Sequence, residues 1–113
     1  MHMKNENALF EFFTAENNRD WERYVQYLHQ DVEWRLFTAY GCQVIQGIDS
    51  YMAKIMTTYE GSQDSFNCDQ HYSSQSGSRI VTVLHNNHGQ KSVDIFDFED
   101  GLIKHEYEFL MSE

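Results

Sequence analysis

The spacing of apolar residues along this chain takes two forms, three-and-four in most of its first half and strict alternation around Val32 to Leu36 and near its end, and this contrast narrows the possible folds most. Around Ala8 to Glu16, Leu9, Phe12 and Phe13 recur at helical intervals with no Gly or Pro between them. Asp20 is placed to cap a second helix in which Trp21, Tyr24, Val25 and Leu28 fall at i, i+3, i+4 and i+7. After Gly47, Asp49 or Ser50 can cap a third, with Tyr51, Met52, Ile55, Met56 and Tyr59 on one face until Gly61. Each predicted helix is amphipathic, so each needs a surface to cover.

That surface is a sheet. Val32, Trp34 and Leu36 alternate with Glu33 and Arg35, the pattern of a strand with one buried face. The β-branched run Arg79 to His85 and the run Lys91 to Phe98 flank Asn87-His88-Gly89, a hairpin signal, and Glu99-Asp100-Gly101 turns the chain into Leu102 to Met111. These three runs predict an antiparallel meander. The polar stretch from Gln63 to Ser78 reads as a strand followed by a loop. Helices first and a meander last imply an α+β fold, with the helices packed on one face of a curved sheet.

Composition removes several classes of function. With 8 Lys plus Arg against 18 Asp plus Glu, the 113 residues carry a formal net charge of −10. This excess repels phosphate backbones and anionic lipid, so neither nucleic acid nor membrane is an expected partner. At 41% hydrophobic the chain is too apolar for disorder, and its length suits a single domain over residues 1–113. No apolar run approaches the ~20 residues of a membrane span and no signal segment opens the sequence, so a cytoplasmic protein is expected. Cys42 and Cys68 lack motif spacing, and His85 and His88 flank a turn with no HExxH helix, so neither a metal nor another cofactor is expected. His71 and His105 have acid–base chemistry, but nothing aims them at a site. His2 is given no role.

Three phrases, in order, carry a resemblance: Asp20-Trp21 opening the second helix; Asp31-Val32-Glu33-Trp34 followed by Ile45-Gln46-Gly47; and Val93-Asp94-Ile95-Phe96-Asp97-Phe98-Glu99-Asp100-Gly101-Leu102-Ile103. Over nearly its whole length the chain resembles the SnoaL-like branch of the nuclear transport factor 2-like, or ketosteroid isomerase-like, superfamily. The resemblance implies a cystatin-like cone: a strongly bent antiparallel sheet wrapped around three helices, with a pocket at the open end. It also implies a homodimer through the sheet's outer face. Function does not follow from this fold, which hosts isomerases, cyclases, epoxide hydrolases, dehydratases and non-enzymatic adaptors. Against the ketosteroid isomerase pattern of a carboxylate base and a Tyr–Asp oxyanion hole, Trp34 falls at the base, Phe12 at the Tyr, and only Asp94 matches. Against the limonene epoxide hydrolase pattern, Asp94 and Glu108 fall near the two acids and Ser92 takes the place of the bridging Arg. Neither mechanism transfers whole.

Asp94 is the leading catalytic candidate, with Glu108 as a second carboxylate. Alternation puts Ser92, Asp94, Phe96 and Phe98 on one face, and its two Phe mark that face as buried, where a carboxyl should titrate above its ordinary range. The last strand presents a conflict. Glu106 and Glu108 share one face, while Ile103, His105, Tyr107 and Phe109 share the other. Apolar burial turns the second set inward, whereas the family register turns the glutamates toward the pocket; a dimer interface on the Tyr107 face reconciles them, and solvated glutamates are the alternative. Trp34 either lines the pocket mouth or fills the core. Tyr51 and Ile55 form a helix wall, and Tyr40, in the loop after the first strand, can offer a hydroxyl to a ligand or stand exposed. With Phe96, Phe98 and Glu106 these are the expected ligand contacts. The expected activity is cofactor-free isomerase, cyclase or hydrolase chemistry on a small hydrophobic molecule; the alternative is a non-catalytic ligand-binding or dimeric scaffold protein.

Overall fold

The computed structural model describes residues 3–111, so His2 lies outside the described residues. Helix α1 (Met3–Asn17) is followed by a single turn, α2 (Trp21–Tyr24), and then by strands β1 (Leu28–Thr38) and β2 (Gly41–Gln46). Helix α3 (Ile48–Tyr59) leads to β3 (Phe66–Ser73), β4 (Arg79–Asn86), β5 (Lys91–Glu99) and β6 (Leu102–Leu110). The strands form one curved, unclosed sheet in the order β2-β1-β6-β5-β4-β3, an α+β architecture of the cystatin-like type.

The expected second helix is much shorter than its periodicity suggests. Asp20 does cap it, accepting a bond from the Arg23 amide at 3.3 Å. After Tyr24, however, the backbone tightens into a 3-10 turn, and Leu28 begins β1, pairing with Ile103 of β6. Aromatic and β-branched residues in a row are weak helix formers. Burial decides the outcome: Tyr24 stacks on Phe12 at 4.0 Å between ring centroids, and Leu28 is captured by the sheet. The helical spacing reports which residues are buried, but a helix turn joined to a strand buries the same set.

Two smaller expectations also change. Gly47, not Asp49 or Ser50, occupies the cap of α3; its φ of 89° suits glycine, and no side chain closes the helix start. Asp49 sits instead in the first turn, where its charge complements the helix dipole. Met56 departs from the apolar face and is exposed, leaving Tyr51 and Ile55 as the buried residues of α3.

The sheet is not wholly antiparallel. The β3–β6 meander enters at the far edge and steps inward strand by strand, so β6 meets β1 sideways, without a hairpin to impose direction, and the two run parallel. Strand β2 carried no sequence signal, because Ile45 alone of its residues is buried on this edge. One irregularity settles the conflict in the last strand. Asp97 pairs with His105 while Phe98 pairs with Ile103, so Lys104 is an extra residue that bulges out of β6. The bulge reverses parity. Ile103 before it and Glu106 and Glu108 after it therefore share the inner face.

The core lies between that face and the helices, with Leu9, Phe12, Tyr24, Val32, Ile80 and Ile103 essentially sealed from solvent. Phe12 is central, meeting Tyr24 and Phe96 ring to ring. Phe12→Ala is expected to cost about 3–5 kcal/mol of stability, read as a lower urea midpoint at unchanged slope.

Candidate functional site

The inner face of β5 and β6 brings three carboxyl groups together. Asp94 sits directly across from Glu108, and Glu106 across from Phe96 on one side and Trp34 on the other. Oxygens of Asp94, Glu106 and Glu108 lie within 4.8 Å of one another, close enough to repel strongly when ionised or to hold one cation between them. They face a cavity of about 250 Å³ closed above by Phe12, Phe13 and Glu16 of α1 and Ile55 and Tyr59 of α3. Residues of β4 and β5 flanking their turn also line it, including the half-buried His85 and the exposed Lys91.

Each acid is held by a donor through one oxygen. The Ser92 hydroxyl donates to Asp94 Oδ1 at 2.6 Å, the Trp34 indole N–H to Glu108 Oε1 at 3.1 Å, and the Tyr51 hydroxyl to Glu106 Oε1. From Glu106 a chain runs through Tyr51 to Tyr24 (3.2 Å) and on to Glu16 (2.9 Å), which also accepts from Tyr59 at 2.5 Å. Proton counting is informative here. The links Glu106–Tyr51, Tyr51–Tyr24 and Tyr24–Glu16 number three, but two tyrosines supply only two hydroxyl protons. A proton on Glu106 completes the chain by reversing its first link, so that Glu106 donates to Tyr51 and Tyr51 to Tyr24, with Glu16, already accepting from Tyr59, as the terminal acceptor.

Electrostatics points the same way. Two like charges 4.8 Å apart repel by about 3 kcal/mol at an effective dielectric of about 20, so three carboxylates cannot all ionise freely at neutral pH. Burial, then the charge of Glu108, holds Asp94 well above the usual carboxylate range, against the opposing Ser92 bond. Burial, then Glu108 and Asp94, does the same to Glu106. Glu108 is pushed up to about 7 by burial and by Glu16, with the Trp34 bond opposing. Glu16 is raised by burial, while the bonds from Tyr59 and Tyr24 and the charge of Arg19 pull it back. The cluster thus holds its protons more tightly than ordinary carboxyls do.

Comparison with known proteins places this arrangement. The SnoaL-like domain family matches residues 9–106. The chain belongs to the SnoaL-like family. Its fold is shared with Bal32a from a soil-derived mobile gene cassette, at a TM-score of 0.86 and 14% identity over 98% of this chain and 92% of that one. A candidate ketosteroid isomerase from Kribbella flavida aligns at 0.83 and 16% over 99% and 81% of the two chains. A candidate SnoaL-like polyketide cyclase from Jannaschia sp. aligns at 0.82 and 13% over 98% and 88%. No curated protein matches the sequence significantly.

Within this SnoaL-like protein, Asp94, Glu108, Glu106, Trp34, Ile55 and Phe96 all line the same cavity. Tyr51 lies behind its wall, fully buried and bonded to Glu106. Phe98 is buried in the core but does not reach the cavity lining. Tyr40 is a correction: it stands fully exposed at the β1–β2 turn, beside a separate shallow groove, because no core element covers that end of the hairpin. His71 packs against Phe10 near Glu6, and His105 stacks with Tyr107; neither lines the cavity. His85 and His88 pair with different aspartates, Asp69 and Asp64. Glu16 was missed by sequence reasoning, although the signal existed: it continues the Leu9, Phe12, Phe13 stripe, and a charge on an apolar stripe marks a buried polar site.

Because the folded state holds Glu108 near 7, against an ordinary 4.5, its contribution to stability is fully present below about 4.5 and is lost as pH rises through about 7. Glu108→Gln keeps an acceptor for Trp34 and removes that loss. Its melting temperature should match the parent at pH 4.5 and exceed it by several degrees at pH 8, measured by circular dichroism melts at both pH values.

Proposed function

We propose that this SnoaL-like protein is a cofactor-independent enzyme that transfers protons on a small, largely apolar molecule bound in the cavity, as an isomerase, cyclase or hydrolase. The observation that carries this reading is the pairing of Asp94 and Glu108 across β5 and β6 at the cavity surface. Glu108, with its midpoint near 7, can take or give a proton at neutral pH, and Asp94, whose proton burial and the charge of Glu108 hold more tightly than that of an ordinary carboxyl, is the matching acid. Trp34, Phe96 and Ile55 supply apolar walls that orient a substrate and exclude water. Glu106 fixes the geometry from its bond to Tyr51, and Phe98 adds to the buried core. Solved relatives described as a candidate isomerase and a candidate cyclase support chemistry of this type. At about 250 Å³ the cavity is slightly below the roughly 300–1,000 Å³ common for ligand pockets, which favours a compact substrate.

The test needs no knowledge of the natural substrate. Exchange of the α-protons of cyclohexanone and 2-cyclohexenone into D2O buffer, followed by NMR, reports proton transfer directly. Acceleration by the parent chain, reduced about 10²–10⁴-fold in both Asp94→Asn and Glu108→Gln, is the expected result. Binding of these ketones with exchange no faster than in buffer favours the non-catalytic ligand-binding alternative instead.

The same proposal includes a cytoplasmic, single-domain chain acting as a homodimer through the outer face of the sheet. Support comes from the ring stack of Phe37 on Phe109 at 4.6 Å and from the half-buried Tyr107 beside them, all on the side away from the cavity. Sedimentation at micromolar concentration should give twice 13.4 kDa, and Phe109→Arg should return the monomer.

A further inference from the structure

The cavity joins two features that a neutral apolar ligand would leave unmatched. Asp94 and Glu106 are 4% and 6% exposed, and each spends one oxygen on its protein donor, Oδ1 on Ser92 and Oε1 on Tyr51. Among the described residues, the second oxygen of each receives no hydrogen bond, and Glu108 likewise uses only Oε1. No ion pair among the described residues reaches any of the three. Among the described residues no buried side-chain oxygen lacks a partner, so these second oxygens open on the cavity, where a ligand that displaces water must supply donors and, in place of the protons the acids otherwise hold, positive charge.

We propose that the ligand of this cavity is a small primary amine, its ammonium group seated among Asp94, Glu106 and Glu108 and its apolar body packed against Trp34, Phe12 and Phe96. An ammonium group has three donors in tetrahedral array, and at N···O distances of about 2.8 Å its acceptors stand about 4.6 Å apart. The three acids present oxygens within 4.8 Å of one another, so one nitrogen can reach all three. The neighbouring rings add attraction for a cation at their faces, an interaction strengthened by loss of water. A hydroxyl in the same place offers one donor and leaves two acids unsatisfied. A carboxylate ligand meets like charge. This inference rests on the cavity being the substrate site and specifies the class of molecule that enters it.

Isothermal titration of the full chain at pH 8 with benzylamine, benzyl alcohol and benzoate tests it, since the three probes share a ring and differ in charge. Benzylamine is expected to bind at least tenfold tighter than benzyl alcohol, with benzoate weakest, and Asp94→Asn combined with Glu106→Gln should erase the preference. Benzyl alcohol binding as tightly as benzylamine would overturn the ammonium assignment while leaving the cavity a binding site. Binding by none of the three would overturn both readings. Saturable Mg2+ or Ca2+ binding that excludes benzylamine would also overturn the assignment. The parent-chain comparison stands even where the double variant fails to fold, and circular dichroism identifies that case.

Discussion

Carboxyl groups forced together in a dry interior must share protons, find a counterion or push the structure apart, and this constraint organises the centre of the fold. Asp94, Glu106 and Glu108 occupy the middle strands, where a sheet of this kind would otherwise bury only apolar groups. Their neighbours are arranged accordingly: Ser92, Trp34 and Tyr51 each satisfy one oxygen, and the Tyr24–Tyr51 pair carries the network across the core to Glu16. The aromatic residues that surround the cluster lower the local dielectric and so magnify every charge within it. Packing and proton affinity are therefore not separable here. Phe12 and Phe96 both consolidate the core and raise the affinity of the acids for protons.

Much of this was readable from residue order. Alternation from Ser92 to Phe98 placed Asp94 on a buried face without any coordinates, because a strand's period leaves only two choices and two phenyl rings decide between them. The hairpin turns were legible for a similar reason: Asn87-His88-Gly89 and Glu99-Asp100-Gly101 put glycine where the backbone adopts positive φ. Other features had no local signature. The parallel pairing of β1 with β6 depends on how an entire meander is fed into the sheet, and β2 is a polar edge strand whose residues gain little from burial. The second helix misled because its periodicity measured burial, not backbone shape.

Glu16 and Tyr40 mark opposite limits of reading a site from sequence. Glu16 could have been found, since an acid that extends an apolar stripe must be buried with it, and α1 does carry it to the cavity. Tyr40 looked plausible because a tyrosine in a loop after a pocket strand has the right chemistry, yet the β1–β2 hairpin projects it into solvent. Chemistry proposes such residues, and only the direction of the chain disposes of them. Glu106 and Glu108 fall between, with two physical rules in conflict until one extra residue was located.

That residue, Lys104, has a consequence for how the family's sequences can drift. Everything after it in β6 owes its orientation to a one-residue offset. Were Lys104 to pair with Asp97 in place of bulging, the remainder of the strand would rotate by half a turn, carrying the acids out to the convex side and His105, Tyr107 and Phe109 into the hollow. Chemistry on one side of the sheet and contact surface on the other are thus fixed by a single count: deleting Lys104 would leave a regular strand with every pair and every face unchanged, whereas drawing it into the ladder would exchange the two faces at a stroke.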